Sequence, residues 1–200
     1  MKPKGKWWLP DADRHFAKCA KKGGGYQTNL YHAAIKYVGN VDLAVDVGAH
    51  VGFMSHHMKK HFRRVVAFEP EPDNFECLLK NVPGIEAHNV ALGAVGGMGS
   101  LQNPKVTNSG AWEVTYGQGD VRVFPLDDFG LVPDLIKIDV QGRTVAVLDG
   151  AGATLRHHPV VLVEAWLDGK RDVEVQAFLE SLGAELFEEV GRKDIVMGWR

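Results

Sequence analysis

The stretch VDVGAHVG, residues 45–52, decides the fold of this 200-residue chain. An apolar strand that contains Asp46 is followed by a turn between Gly48 and Gly52, and a helical period begins near Val51. Glycine permits a left-handed backbone and a close approach of a ligand. The following helix presents free N–H donors and a partial positive charge at its amino end. The stretch therefore predicts a loop that binds the polar end of a ligand at the carboxyl edge of a sheet.

Apolar runs and helical periods alternate after this loop. Predicted strands cover residues 65–68, 85–90, 135–138 and 160–163, and predicted helices cover residues 72–82, the residues after Gly142, and 175–182. This order predicts a mostly parallel central sheet of the α/β class. Residues 184–189 and 194–199 instead predict a terminal antiparallel hairpin that turns at residues 191–193.

Two stretches fall outside this alternation. Short alternating runs within the glycine- and asparagine-rich residues 98–124 predict a β-hairpin insertion rather than a crossover helix. Residues 1–40 are predicted to form an N-terminal arm that packs on a main domain of residues 41–200, with a candidate hinge at residues 23–25. The length suits one domain with a sizeable core.

Composition argues against several classes of protein. The net charge is −2, so the chain shows no basic excess that would indicate a nucleic-acid partner. The two cysteines stand outside any CxxC pair, and the pairs His56-His57 and His157-His158 lack metal-ligand spacing, so no metal site is predicted. No apolar stretch is long enough for a signal peptide or a membrane span, which predicts a cytoplasmic location.

The glycine spacing indicates the kind of ligand. The loop lacks the GxGxxG motif of dinucleotide folds, and the chain lacks a P-loop motif. Asp46, Gly48 and Gly52 instead form DxGxxxG, the form found in methyltransferases. Glu69 ends the next predicted strand, 17 positions after Gly52, where a carboxylate can accept hydrogen bonds from both ribose hydroxyls. Such an acid occurs in NAD and S-adenosylmethionine proteins alike.

An ordered set of motifs carries a family resemblance. The set comprises residues 46–52, AFEPEP at 67–72, NVALG at 89–93, LDDF at 126–129 and LIKIDVQG at 135–142. Together they resemble the FkbM family of S-adenosylmethionine-dependent methyltransferases over roughly residues 42–166. The resemblance implies a Rossmann-like class I methyltransferase fold, in which a closing antiparallel hairpin is usual, and S-adenosylhomocysteine as product. The arm, with WWLPD at 7–11 and Tyr26-Gln27, resembles small members carried by phages, which would place the protein in the host cytoplasm.

The same resemblance implies roles for particular residues. Asp46, Gly48, Ala49 and Gly52 match the loop at the methionine end, Glu69 matches the ribose acid, Ala91 and Leu92 match the segment beside the adenine, and Asp139 matches the acid near the transferring methyl. His50 in the loop and Pro70 after Glu69 complete the predicted cofactor-binding set.

Methyl transfer to a hydroxyl requires alignment of donor and acceptor and the removal of a proton. Asp139, Glu164 and His50 are the candidate catalytic residues, because each is expected near the carboxyl edge of the sheet. No Pro-Pro-aromatic motif follows the fourth strand, which argues against methylation of nucleobase amines. We therefore predict O-methylation of a hydroxyl on a small-molecule or carbohydrate-like acceptor.

Two departures from the family pattern keep an alternative open. The family usually has Glu where this chain has Gln141, and Thr144 stands where a second Glu is common. An amide can donate and accept hydrogen bonds but carries no negative charge. A catalytically silent protein that binds S-adenosylmethionine is therefore the second hypothesis. An NAD-dependent oxidoreductase is the third, disfavoured by the missing GxGxxG motif and by the lack of a Tyr-x-x-x-Lys pair.

Overall fold

The computed structural model describes residues 1–21, 27–105, 107–167 and 170–200. The predicted hinge at residues 23–25 and Tyr26 of the arm lie outside the described residues. Across the part of the chain that is described, no helix has both the length and the apolar character required to cross a membrane.

The first forty residues hold four short elements. They are β1 (Lys2–Lys4), β2 (Trp7–Leu9), α1 (His15–Lys21) and α2 (Thr28–Ile35). Strands β1 and β2 pair antiparallel. Trp7, Leu9 and Phe16 are buried in one apolar cluster with Val51 and Phe53, which lie at the start of the helix after the glycine loop. The arm therefore contacts the segment that the sequence assigns to ligand binding; the boundary at residue 40 stays a prediction.

Strands and helices alternate in the next segment, as the periodicity predicts. They are β3 (Leu43–Val47), α3 (Phe53–Met58), β4 (Arg64–Phe68), α4 (Pro72–Asn81) and β5 (Glu86–His88). Helix α3 begins two residues later than expected because Gly52 is its left-handed N-cap, with φ 92°. The Glu71 carboxylate accepts a hydrogen bond from the Asn74 backbone N–H at 2.6 Å, and Pro72 follows it at the first helical position. Both features favour the start of α4 at this point.

The insertion forms a small sheet of its own. Its strands are β6 (Ala91–Leu92), β7 (Gly97–Gln102), β8 (Glu113–Tyr116) and β9 (Val121–Phe124), followed by a 3-10 helix at Leu126–Phe129. Strand β7 pairs antiparallel with both β8 and β9, and β6 pairs parallel with β9. The β-rich insertion predicted around residues 98–124 is confirmed, and its sheet extends back to Ala91.

The remaining elements complete the main sheet. They are β10 (Leu135–Ile138), α5 (Thr144–Asp149), α6 (Gly152–Leu155), β11 (Val160–Glu164), β12 (Trp166–Leu167), β13 (Lys170–Arg171), α7 (Val173–Ser181), β14 (Glu185–Val190) and β15 (Asp194–Gly198). The seven-stranded sheet has the order β14-β15-β11-β10-β3-β4-β5. Its strands are parallel from β11 to β5, whereas β15 is antiparallel to β11 and β14 is antiparallel to β15. The mostly parallel sheet and the closing hairpin are therefore both as predicted.

Buried apolar strands place the candidate site. Strands β3 and β10 consist of buried residues throughout, as expected where helices cover both faces of a parallel sheet. Their register pairs Val47 with Ile138, and Val47 also pairs with Phe68 of β4. The carboxyl ends of the three strands therefore meet at one edge, where the loops after residues 47, 68 and 138 converge.

Candidate functional site

The turn after β3 requires glycine at Gly48. Its φ is 72°, and a Cβ atom built there would lie 2.1 Å from the backbone oxygen of Asp139. No side chain fits between the loop and the end of β10. Gly52 has a different task, because a Cβ there would lie 2.7 Å from Val82 and 2.8 Å from Leu78 on the α4 side. Gly52 therefore allows close packing of α3 and α4.

A cavity of about 740 Å³ lies at this edge of the sheet. It is lined by these predicted residues: Gly48, Ala49, His50, Glu69, Pro70, Ala91, Leu92, Asp139 and Glu164. Asp46 and Gly52 do not line this cavity. Asp46 is fully buried in the interior, and Gly52 packs against Leu78 and Val82. The arm and the insertion add further walls, including Gln27 and Ser109. The structure thus brings together residues from widely separated parts of the chain around one space.

Glu69 lies at the tip of β4 and is 5% exposed. One carboxylate oxygen accepts a hydrogen bond from the His50 backbone N–H at 2.8 Å, and the other accepts from the Glu71 N–H at 3.0 Å. The Asn74 amide donates to the carboxylate at 3.4 Å. Burial raises the pKa of Glu69 to about 7 despite these donors. Hydroxyl donors from a bound ribose would stabilise the ionised form further.

Ser109 of the insertion joins the glycine loop to the arm. Its hydroxyl donates to the buried Asp13 carboxylate at 2.5 Å and lies 2.6 Å from His50 Nε2. Because Asp13 takes the hydroxyl proton, the Ser109 oxygen is the acceptor for an Nε2–H on His50. Burial lowers the pKa of His50 to about 4, so the ring is neutral near pH 7. This geometry favours a structural link for His50 over the role of a base.

Lys137 is a cavity-lining residue that sequence reasoning missed. It is 4% exposed within β10, and its ammonium lies 3.1 Å from Asp46 and donates to the Gly48 carbonyl at 2.7 Å. Burial lowers its pKa, but the Asp46 and Asp139 carboxylates outweigh burial and hold the pKa above its usual value. Asp46 is fully buried and accepts a hydrogen bond from Ser55 at 2.6 Å. A lysine inside the apolar run LIKI was the signal that could have revealed this pair.

Carboxylates cluster where the ends of β10 and β11 meet the start of β15. Asp139 accepts a hydrogen bond from the Gln27 amide at 3.0 Å. Glu164 ends β11 and pairs in register with Asp194, and the Lys193 ammonium lies 3.5 Å from Glu164. Sequence reasoning named Asp139 and Glu164 and missed Gln27 and Asp194. Gln27 belongs to the resemblance of the arm and Asp194 to the predicted terminal hairpin, but neither pattern indicates a position at the cavity, which both residues reach through the tertiary fold.

The histidines of the described residues do not form a metal site. Among residues 1–21, 27–105, 107–167 and 170–200, no group of three His, Cys, Asp or Glu side chains is arranged to hold a metal ion. His57 lies 3.3 Å from the Thr28 hydroxyl, and the His56 ring makes an edge contact with Trp7 at 5.2 Å between ring centroids. These two histidines therefore contact the arm.

Comparison with known proteins agrees with this architecture. A family model described as the methyltransferase FkbM domain matches residues 46–190. No curated protein gives a significant match.

Three solved structures illustrate the similarity. Streptomyces venezuelae DesVI is 14% identical, over 96% of this chain and 99% of that chain, with a TM-score of 0.59. The S-adenosylmethionine-bound structure of CalS10, an amino pentose methyltransferase from Micromonospora echinaspora, is 12% identical, over 96% of this chain and 100% of that chain, with a TM-score of 0.57. A ribosomal protein L11 methylase from Lactobacillus delbrueckii subsp. bulgaricus is 13% identical, over 87% of this chain and 78% of that chain, with a TM-score of 0.57. At such identities the likeness shows a common fold.

Proposed function

The chain belongs to the FkbM methyltransferase family, and from this premise we propose that it methylates a hydroxyl oxygen of a small-molecule or carbohydrate-like acceptor. S-adenosylmethionine is the cofactor, and when bound it supplies a methyl group on a positively charged sulfur. The class of the methyl acceptor and the choice of oxygen as the methylated atom are our inference. The observation that carries the proposal is the row of carboxylates at one end of the cofactor cavity.

The residues present fit a nucleoside cofactor. The backbone of Gly48 approaches Asp139 so closely that a Cβ atom would fill the space between them. Glu69 offers a buried carboxylate at the tip of the second strand of the motif, where ribose hydroxyls bind in folds of this kind. Ala91 and Leu92 line the cavity with apolar surface suited to a base. We propose that these residues hold the cofactor.

The other end of the cavity has chemistry suited to a hydroxyl. Asp139 is held in place by the Gln27 amide, and Glu164 stands on the neighbouring strand. Burial, together with the negative charge of Asp139, raises the pKa of Glu164 to about 7. A general base is most effective when its pKa lies near the working pH. These carboxylates can therefore accept a proton from a hydroxyl positioned between them and the methyl group.

Replacement of Glu69 tests the cofactor site. We expect Glu69→Gln to weaken binding of S-adenosylhomocysteine by about 1.5–3 kcal/mol, the range for hydrogen bonds to charged groups. Titration calorimetry measures the loss. Glu86→Gln, at an exposed carboxylate on β5, is the matched control and should bind normally. Unchanged affinity in a folded Glu69→Gln protein would remove this residue from the site.

Transfer of tritiated methyl from S-adenosylmethionine into fractionated cell extract tests the reaction. We expect label in a small-molecule or carbohydrate fraction and a rate lowered about 100-fold or more in Glu164→Gln, the lower range for loss of acid–base catalysis. Label in DNA or RNA, or on a nitrogen atom of the product, would refute the proposed acceptor.

The second candidate function is a silent cofactor-binding protein. Gln141 lines the cavity at a position where a carboxylate is usual in the family, and this observation favours it. Tight binding of S-adenosylhomocysteine without label in any fraction would support it. If Gln141→Glu then produced labelled product, the missing charge would be the cause.

A further inference from the structure

Asp194 lines the cofactor cavity, and no motif in the sequence assigns it a role. It begins β15, and its direct partner in antiparallel register is Glu164, the last residue of β11. Directly opposed residues on antiparallel strands lie on the same face of a sheet, with their Cβ atoms about 4.5–5.5 Å apart. Glu164 and Asp194 therefore form a pair of carboxyl groups on the wall of the cavity, and this pair is called the carboxyl pair below.

Charged groups from neighbouring elements face the carboxyl pair. They are Lys137 and Asp139 from β10 and its end, and Arg192 and Lys193 from the turn between β14 and β15. The Lys137 ammonium also lies 3.1 Å from Asp46, and the Lys193 ammonium lies 3.5 Å from Glu164. Lys137 is thus shared between Asp46 and Asp139, whose carboxylate lies 3.9 Å from its ammonium. With Asp46 behind the cavity wall counted, four carboxyl groups lie near three cations, Lys137, Arg192 and Lys193.

Burial and the negative charge of Asp139 raise the pKa of both members of the carboxyl pair. Burial raises the pKa of Asp194 to about 7, as it does for Glu164, and Asp139 contributes in the same direction. The carboxyl pair therefore holds a proton near neutral pH. A positive charge placed in this end of the cavity would favour release of that proton.

We propose that Asp194 and Glu164 act together as the acceptor of the proton that leaves the substrate hydroxyl. This inference rests on the proposed function. The hydroxyl oxygen bonds to the methyl carbon, the carbon–sulfur bond breaks with both electrons on sulfur, and the hydroxyl proton passes to a carboxylate oxygen of the pair. The sulfur loses its positive charge as the pair loses a negative charge, so the net charge of the site is unchanged.

The positive charge on the sulfur of S-adenosylmethionine allows a test that requires no methyl acceptor. S-adenosylmethionine and S-adenosylhomocysteine share the ribose and the amino acid group, so titration of Glu69 affects both affinities and cancels in their ratio. A deprotonated carboxyl pair attracts the ammonium group of both ligands, but it attracts the charged sulfur that only S-adenosylmethionine carries, so the ratio reports the sulfur charge. We expect affinity for S-adenosylmethionine relative to S-adenosylhomocysteine to rise roughly tenfold from about pH 5.5 to about pH 8.5, with a midpoint near pH 7. Calorimetry at each pH measures both affinities.

Variants assign the effect to particular residues. Asp194→Asn should flatten the pH dependence of the ratio, and Glu164→Gln should do the same. Affinity for S-adenosylhomocysteine should stay within about twofold in both, which also shows that the cavity is folded. Asp149→Asn, at an exposed position outside the cavity, is the matched control and should retain the wild-type slope.

The outcomes separate this inference from the proposed function. A flat ratio in the wild-type protein, with S-adenosylhomocysteine bound, would overturn the inference alone. A wild-type slope in Asp194→Asn would remove Asp194 from the pair. If neither ligand bound the wild-type protein, the proposed function would fail and this inference would fail with it.

Discussion

Gly48→Val is expected to lose measurable binding of S-adenosylhomocysteine, with affinity reduced about 100-fold or more, or roughly 2.7 kcal/mol. The β-carbon of valine would lie 2.1 Å from the Asp139 backbone oxygen, far inside the contact distance. The φ of 72° also disfavours any side chain, and a β-branched one most of all. The loop must therefore move away from β10 and into the space that the cofactor needs. Calorimetry measures the affinity, and circular dichroism reports the fold.

A control separates the steric clash from backbone strain. Gly130 has φ 57°, and no atom lies within 4 Å of the position of its Cβ. Gly130→Val therefore introduces similar strain without the clash, and it should lose some stability while it binds S-adenosylhomocysteine normally. If Gly48→Val also bound with wild-type affinity, the loop would be structural only.

Lys137→Met is expected to lower the free energy of unfolding by about 3–5 kcal/mol, the cost of an uncompensated buried charge. Asp46 is fully buried, and its Oδ1 atom makes no hydrogen bond with any described residue, so the Lys137 ammonium at 3.1 Å is the charge that balances it. The lysine also binds the Gly48 carbonyl, so we expect weaker cofactor binding in the same variant. Urea denaturation monitored by circular dichroism measures the change in stability.

Two further variants test the cause of this loss. Lys36→Met removes an exposed ion pair with Glu188, and such pairs contribute about 0–1 kcal/mol. Adding Asp46→Asn to Lys137→Met removes the stranded charge and should restore part of the stability. A loss below about 1 kcal/mol for Lys137→Met would mean that Asp46 is not held as a buried charge.

Local patterns predicted most of the architecture. The apolar runs, the helical periods and the turn residues each depend on neighbours within a few positions, and these became β3 to β5, β10, β11 and the closing hairpin. One boundary moved by two residues: α3 begins at Phe53, although its helical period begins near Val51. Hydrogen bonding and the left-handed Gly52 decide where the helix begins, and periodicity alone does not report it.

The residues of the candidate site also differ in how far local sequence could predict them. Glu69 and the glycine loop could be placed from the sequence, because each follows directly from the end of a predicted strand. The sequence also indicated Asp46 as a binding residue, whereas the structure turns its carboxylate to Ser55 and Lys137 in the interior. A motif specifies which residue type stands at a position, but the side chain adopts the direction in which it finds a partner.

The sequence by itself therefore determined the order of the strands and helices of the main sheet, the edge of the sheet at which the glycine loop lies, and the acid at the tip of β4. Only the tertiary structure decided which residues contact the predicted site residues: Gln27 contacts Asp139, Ser109 contacts His50, and Asp194 lies beside Glu164. These pairs lie 112, 59 and 30 positions apart in the chain. The physical reason is that hydrogen bonds, burial and the resulting pKa shifts depend on distances in space, and for pairs so far apart the packing of the whole chain sets those distances.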